Sequence, residues 1–289
     1  MITVQSATPA MFEDVHRLLL GFDNPRMNKD DWRRMLFQYP WKAEEESRGY
    51  VLSDGGRAVG FLGTIFSTRE IEGKTERFCH LSSWIVLPEY RSRSLSLLAA
   101  VARLDGYTIV SSTPSATSVR LFSRIGHRTL DDRELLLPPL AGVRELCGLF
   151  RASMTTDEDE VRAGLTGETL RCFDDHRRSL GAHLLLRRDG RSCWATATLK
   201  HRRGIRFASV RHMSDRQLFW ECLPLAKLGF LRTLGAPALA VDARFAEGRH
   251  VPFAVPHRLW TPRLYRPAHE AIRPALVDGL YSELMGLRQ

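Results

Sequence analysis

The chain has 289 residues, 44% hydrophobic and 26% charged, with a net charge of +9. That length accommodates two domains with cores of their own, and the balance is not that of a disordered or fibrous chain. No charge-free apolar run reaches bilayer length, and the start Met1–Ser6 lacks a basic, apolar leader. Five scattered cysteines (Cys79, Cys147, Cys172, Cys193, Cys222) without a C-x-x-C pair argue against a disulfide frame or a zinc site. The expectation is a cytoplasmic chain with reduced thiols, no metal and no membrane partner.

Residues 2–7 read as a first strand, and Pro9 opens a helix with Met11, Phe12, Val15, Leu18 and Leu19 at helical spacing. A second helix spans about 29–38, with Trp32, Met35 and Leu36 on one side; core packing is favoured over a pocket-lining role. Residues 48–52 and 58–66 form a hairpin around Asp54-Gly55-Gly56, and residues 70–75, with Gly73, make the next turn. Residues 76–87 form a long central strand, which Pro88 ends by having no N–H to give a ladder. Arg91, Ser92, Arg93, Ser94, Leu95 and Ser96 then lead into an apolar helix through Leu97, Leu98, Val101 and Leu104. A strand feeding a polar turn that opens a helix presents unpaired N–H groups and a positive dipole end, the setting for a phosphate or diphosphate. Next come a strand at 107–112, a helix opened by Pro114, and Gly126 where a helix C-cap favours positive φ.

Val86-x-Pro88-x-x-Arg91-x-x-Ser94-x-Ser96 resembles motif A of the GNAT N-acetyltransferase superfamily, V-x-P-x-x-(R/Q)-x-x-G-x-(G/A), with serines for both glycines. Serines fit there only if φ stays negative or the Cβ has room. Residues 115–127, with Ser115, Ser118, Phe122 and Gly126, resemble its motif B, N-x-x-A-x-x-L-Y-x-x-x-G-F, in every spacing. The resemblance covers residues 1–137. It implies a mixed, mostly antiparallel α/β sheet flanked by helices, with acetyl-CoA or another acyl-CoA as co-substrate. By position, Trp84, Ile85 and Val86 would hold the pantetheine arm and the turn Arg91–Ser96 the diphosphate; Ser115 would add a contact to the pantetheine arm, with Ser118 and Phe122 as further cofactor-binding residues. It further implies an N-acyltransferase in which a small amine attacks the thioester directly. The base of several relatives lies eleven residues before the first motif-A Arg or Gln, here at His80. Imidazole titrates near neutrality, and Ser82 or Ser83 could position a water relay. The usual acid, a motif-B tyrosine, is Phe122 here, leaving water, Ser111, Ser112 or Tyr90 as alternatives, or a domain that binds acyl-CoA without catalysis.

Pro138-Pro139 marks a break. Helices are expected over 140–152 and from 155, so 138–165 reads as a helical linker between domains 1–137 and 166–289. The strand, Asp-Gly turn and strand at 49–60 echo weakly in 182–194. Paired strands around Arg202-Arg203-Gly204, a helical stretch from Ser214 to Leu234 broken at Pro224, and a strand at 238–241 complete the order of a truncated second copy. No motif A follows in it, so a second acyl-CoA is not expected. Its Phe219, Trp220, Trp260 and Tyr265 either shape an acceptor site or are core and interface residues. Arg258, Arg263 and Arg266, among Pro256, Pro262 and Pro267, read as a basic loop. Residues 1–140 carry +1 and residues 141–289 carry +8. This basic half is either a solvated surface or a site for an anionic partner, which would favour an acyl carrier protein or aminoacyl-tRNA as donor. Monomer and homodimer stay open.

Overall fold

The computed structural model describes all residues except Lys42, Glu44, Glu45, Glu46, Arg203 and Gln289, with Arg144 described by its backbone alone. The expected turn at Arg202-Arg203-Gly204 therefore lies partly outside the described residues. In chain order the elements are β1 (Ile2–Ser6), α1 (Phe12–Leu19), α2 (Lys29–Leu36), β2 (Gly49–Asp54), β3 (Arg57–Ile71), β4 (Lys74–Val86), α3 (Ser94–Ala102), β5 (Tyr107–Ser111) and α4 (Ala116–Arg124). There follow β6 (Arg128–Leu137), α5 (Val143–Cys147), β7 (Ser153–Thr155), α6 (Glu158–Ala163), α7 (Gly167–His176), β8 (Ala182–Arg188), β9 (Arg191–Arg202) and β10 (Ile205–Met213). The last are α8 (Arg216–Glu221), α9 (Leu223–Leu234), β11 (Ala238–Asp242) and β12 (Val255–Arg266).

Contacts divide the chain into two units. The first comprises residues 1–130, 261–276 and 281–287; the second comprises 131–260, 277–280 and 288–289. The division thus falls before the expected 137/138 boundary, and C-terminal segments return to the first unit. Its strand order is β1-β2-β3-β4-β5-β12, antiparallel except for the parallel pair β4/β5. Local chemistry fixes the hairpins: Gly55 and Gly56 turn β2 into β3, and Glu72 and Gly73 turn β3 into β4, all four with positive φ. One sheet face is covered by α1 and α2 through Phe12, Val15, Leu36, Phe37, Phe61 and Ile65. The other is covered by α3 and α4 through Leu97, Leu98, Val101, Phe122, Cys79 and Leu81.

The second unit has the order β7-β8-β9-β10-β11-β6, antiparallel except for the parallel pair β10/β11. This repeats the pattern of the first. Its core gathers Leu184, Leu186, Phe219, Trp220 and Phe230.

Two sequence expectations change, and one open alternative is decided. The basic, proline-punctuated loop is largely strand β12, in which Arg263, Leu264 and Tyr265 are buried. It pairs with β5 at Leu264–Arg266, clear of Pro256 and Pro262, so the missing N–H groups do not interrupt that ladder. Phe219 and Trp220 are core residues, with the Trp220 indole N–H donating to the Phe245 carbonyl at 2.8 Å, whereas Trp260 is 91% exposed. The expected helix at 140–152 is α-helical only over Val143–Cys147.

Candidate functional site

The parallel pair β4/β5 runs in register from Arg77 opposite Tyr107 to Leu81 opposite Ser111, where β5 ends. β4 continues to Val86, so Ser82–Val86 have lost their β5 partner. Opposite β3 the register shifts as well: Gly63 faces Ser82 but Phe61 faces Ile85, so Leu62 stands opposite two residues, Ser83 and Trp84. This is a bulge, and Ser83 adopts φ +56°, a value rare for a non-glycine residue and characteristic of functional sites. The bulge interrupts the β3/β4 ladder beside the gap.

A cavity of about 310 Å³ opens there. One wall is Ser82, Ser83 and Trp84; the other is Ser111, Pro114, Ser115, Ser118 and Phe122. The Ser82 and Ser83 hydroxyls lie 3.0 Å apart, and the Trp84 indole N–H is buried with no hydrogen-bond partner among the described residues. Ser115 caps α4, its Oγ accepting from the Ser118 amide at 3.1 Å and lying 2.8 Å from the Ser118 hydroxyl. The far end is lined by Phe22, Asn24, Trp32 and Glu283. Of the residues expected from sequence, Ser82, Trp84, Ser115, Ser118 and Phe122 thus converge on one cavity.

Arg91, Ser92, Arg93, Ser94, Leu95 and Ser96 do not line it, and neither do Ile85 and Val86. They lie on the connection and helix that follow β4. Pro88–Arg93 winds as a 3-10 helix running directly into α3, and the Ser94 amide donates to the Arg91 carbonyl. No residue of the turn has positive φ, which is the condition under which serine replaces glycine without strain. The Ser96 hydroxyl donates to the Arg93 carbonyl at 2.6 Å. No side chain caps the α3 N-terminus and its first turn holds no acid. Arg91 and Arg93 are exposed, with no carboxylate partner among the described residues. The Ser94 amide that opens α3 is thus taken up by the preceding 3-10 turn, contrary to the unpaired N–H group expected from sequence, and this end of α3 offers its dipole field and two exposed arginines.

His80 is buried to 3% exposure, on the same strand face as Ser82, and is not on the cavity wall. Phe122 packs between Trp84 (ring centroids 5.8 Å) and His127 (5.0 Å). Burial, helped by the Arg266 charge, pushes His127 down to about 4, so its imidazole is neutral and does not replace the missing tyrosine as an acid. Tyr90 is occupied elsewhere: its hydroxyl donates to Asp54 Oδ2 at 2.9 Å, which raises its pKa. Among the alternative acids only Ser111 lines the cavity. Sequence reasoning missed Glu283 and Leu287; Glu283 follows the Ser282 cap of a short C-terminal 3-10 turn and reaches the cavity from 161 or more positions beyond the lining residues of the first 122. Nothing local to it signals that placement.

In the second unit the matching place is filled. The β10 ladder has a bulge between Val210 and His212, and parallel pairing with β11 stops at Ser209 opposite Ala240. Residues 277–280 pack there: the Gly279 amide donates to the Arg211 carbonyl at 3.0 Å, Asp278 pairs with His212 at 2.7 Å, and Arg244 donates to the Val277 carbonyl. Helix α8, which follows, is capped by the Asp215 carboxylate, an anion where a phosphate would have to sit. Arg162, Arg177, Arg191, Arg216 and Arg244 are each paired with a carboxylate, so the net positive charge of this half resides on other side chains. Among the described residues no group of His, Cys, Asp and Glu side chains could hold a metal ion, and no helix is long and apolar enough to cross a membrane.

Residues 12–126 match the family described as "Acetyltransferase (GNAT) family". No curated protein matches the sequence. Among solved structures, a GCN5-related N-acetyltransferase from Anabaena variabilis is similar over 93% of this chain and 73% of its own, with 11% identity and a TM-score of 0.60. A GCN5-related N-acetyltransferase from Kribbella flavida is similar over 92% of this chain and 70% of its own (12% identity, TM-score 0.57). A protein of unknown function from Enterococcus faecalis, described as a probable N-acyltransferase, is similar over 93% and 72% (10% identity, TM-score 0.58). At these identities the structural likeness speaks for the fold, and it extends over both units.

Proposed function

We propose, from the premise that residues 12–126 form a GNAT acetyltransferase domain, that this chain transfers an acetyl or other acyl group from acyl-CoA to an amine of a small acceptor. The observation that carries this reading is the parting of β4 and β5 beyond Leu81 and Ser111, with a bulge and a cavity at the fork. The residues fit the co-substrate. Polar groups on both walls, among them the unpartnered Trp84 N–H, suit an amide-bearing pantetheine arm. The exposed Arg91 and Arg93 guanidinium groups, beside the positive dipole end of the winding that becomes α3, suit a diphosphate.

When bound, acyl-CoA supplies an activated thioester. The protein's part is to orient it, polarise its carbonyl and remove a proton from the amine. In this reading the Ser83–Trp84 bulge points N–H groups at the carbonyl oxygen. Ser82 receives the proton at the cavity wall and His80, behind it on the same strand face, takes it on. The departing thiolate is protonated by water or Ser111, since Phe122 has no proton to give. The filled fork and capped helix of the second unit support reading it as a degenerate GNAT-like copy without its own acyl-CoA.

Arg91→Ala tests the diphosphate assignment. Charge-assisted phosphate contacts contribute roughly 1.5–3 kcal/mol, so acetyl-CoA should bind about 10- to 100-fold more weakly by calorimetry. Unchanged affinity would remove the turn from the site. The buried Phe122 favours a second reading, an acyl-CoA-binding protein without catalysis. Thiol release over a panel of amines separates the two, since only a transferase turns over.

A further inference from the structure

The far end of the cavity has a chemistry of its own. Glu283 is the one ionisable side chain among the described lining residues; no Lys, Arg or His is on the wall. It is 1% exposed, and its Oε1 accepts from the Thr113 hydroxyl at 2.9 Å, which fixes the carboxylate's orientation. Its backbone is held too. The Ser282 hydroxyl accepts from the Leu284 amide at 3.2 Å, and the Leu287 amide donates to the Glu283 carbonyl at 2.7 Å. Beside it Phe22 and Trp32 stack at 6.0 Å with an interplanar angle of 27°, and Leu62 and Leu81 add apolar wall.

A carboxylate in a largely apolar recess favours a cation and repels an anion, because little water is present to screen either. We propose that this end is the acceptor subsite, and that it takes a primary amine with an apolar, preferably aryl, body and no carboxylate or phosphate near the nitrogen. Glu283 holds the ammonium group, and Phe22 and Trp32 receive the body. Amino acids and phosphorylated amino sugars are thereby disfavoured. The cavity volume, which the acyl end of the donor must share, limits the acceptor to a small molecule. The inference rests on the acyl-transfer reading for the reaction that follows, but not for binding.

The test is calorimetry on the full chain, without acyl-CoA, using 2-phenylethylamine, 2-phenylethanol and phenylalanine. These share an aryl body and differ in charge. The amine should bind at least tenfold more tightly than either of the others. Glu283→Gln should erase its advantage over the alcohol, and Phe22→Ala, at a half-exposed position, should weaken the amine and the alcohol alike. Equal binding of amine and phenylalanine by the unaltered chain would overturn the proposal, whatever the variants do. Thiol release from acetyl-CoA then separates the two readings. An amine that binds selectively but releases no thiol contradicts transfer and leaves the subsite standing. Turnover without discrimination does the reverse.

Discussion

His80→Ala should lower acyl transfer by roughly 10²- to 10⁴-fold, the contribution of a positioned general base, with acetyl-CoA affinity unchanged. That factor corresponds to about 3–5 kcal/mol of barrier. The expectation follows from the strand's alternation. His80 and Ser82 share a face of β4, Ser82 reaches the cavity wall, and His80 is enclosed behind it with its ring 6.5 Å from that of Phe78. In the proposed mechanism the imidazole acts on the amine through the serine. Ser82→Ala should therefore fall by a similar factor, and the double variant should fall little further, because the two would be steps of one route. Independent, multiplying losses would separate the two residues, and full turnover in His80→Ala would remove the histidine from the chemistry.

Gly49→Ala should destabilise the chain by about 2–6 kcal/mol, summing backbone strain and overpacking. Gly49 sits at φ +133°, a region an L-residue rarely enters. An added Cβ would lie 2.4 Å from the Leu62 carbonyl oxygen and 2.9 Å from Gly63 Cα, so β2 and β3 would have to separate. Leu62 is the residue opposite the β4 bulge and lines the cavity, so the damage should reach the site as well. Gly55→Ala is the control. It also has positive φ (+55°), but nothing lies within 4 Å of its Cβ position, and it should cost only about 1 kcal/mol. Urea unfolding measures both; a Gly49 variant as mild as the Gly55 variant would contradict the close approach.

The first unit was legible in sequence because its signals are local. Asp54-Gly55-Gly56 and Gly73 announce hairpins, Pro88 ends a strand, and Ser115 caps a helix at the spacing of motif B. The cavity residues on β4 and α4 follow from those anchors. What was missed depends on partners far along the chain. Strand β12 forms where its Leu264–Arg266 segment finds β5, more than 150 positions earlier, and three prolines hide it. Glu283 joins the site only because residues 281–287 return to the first unit. Phe219 and Trp220 could be read as pocket or core from spacing alone, and packing decided for core. The connection after β4 lies where the Pro88 strand end puts it, but its winding into a 3-10 helix continuous with α3 has no local signal in the sequence.

Crystals of the chain grown with acetyl-CoA test the account most directly. The expected density places the diphosphate against the first turn of α3 beside Arg91, and the pantetheine arm between the parted ends of β4 and β5. None is expected at the second unit's filled fork. Coenzyme bound elsewhere, or an α3 turn left empty at saturating acetyl-CoA, would contradict it.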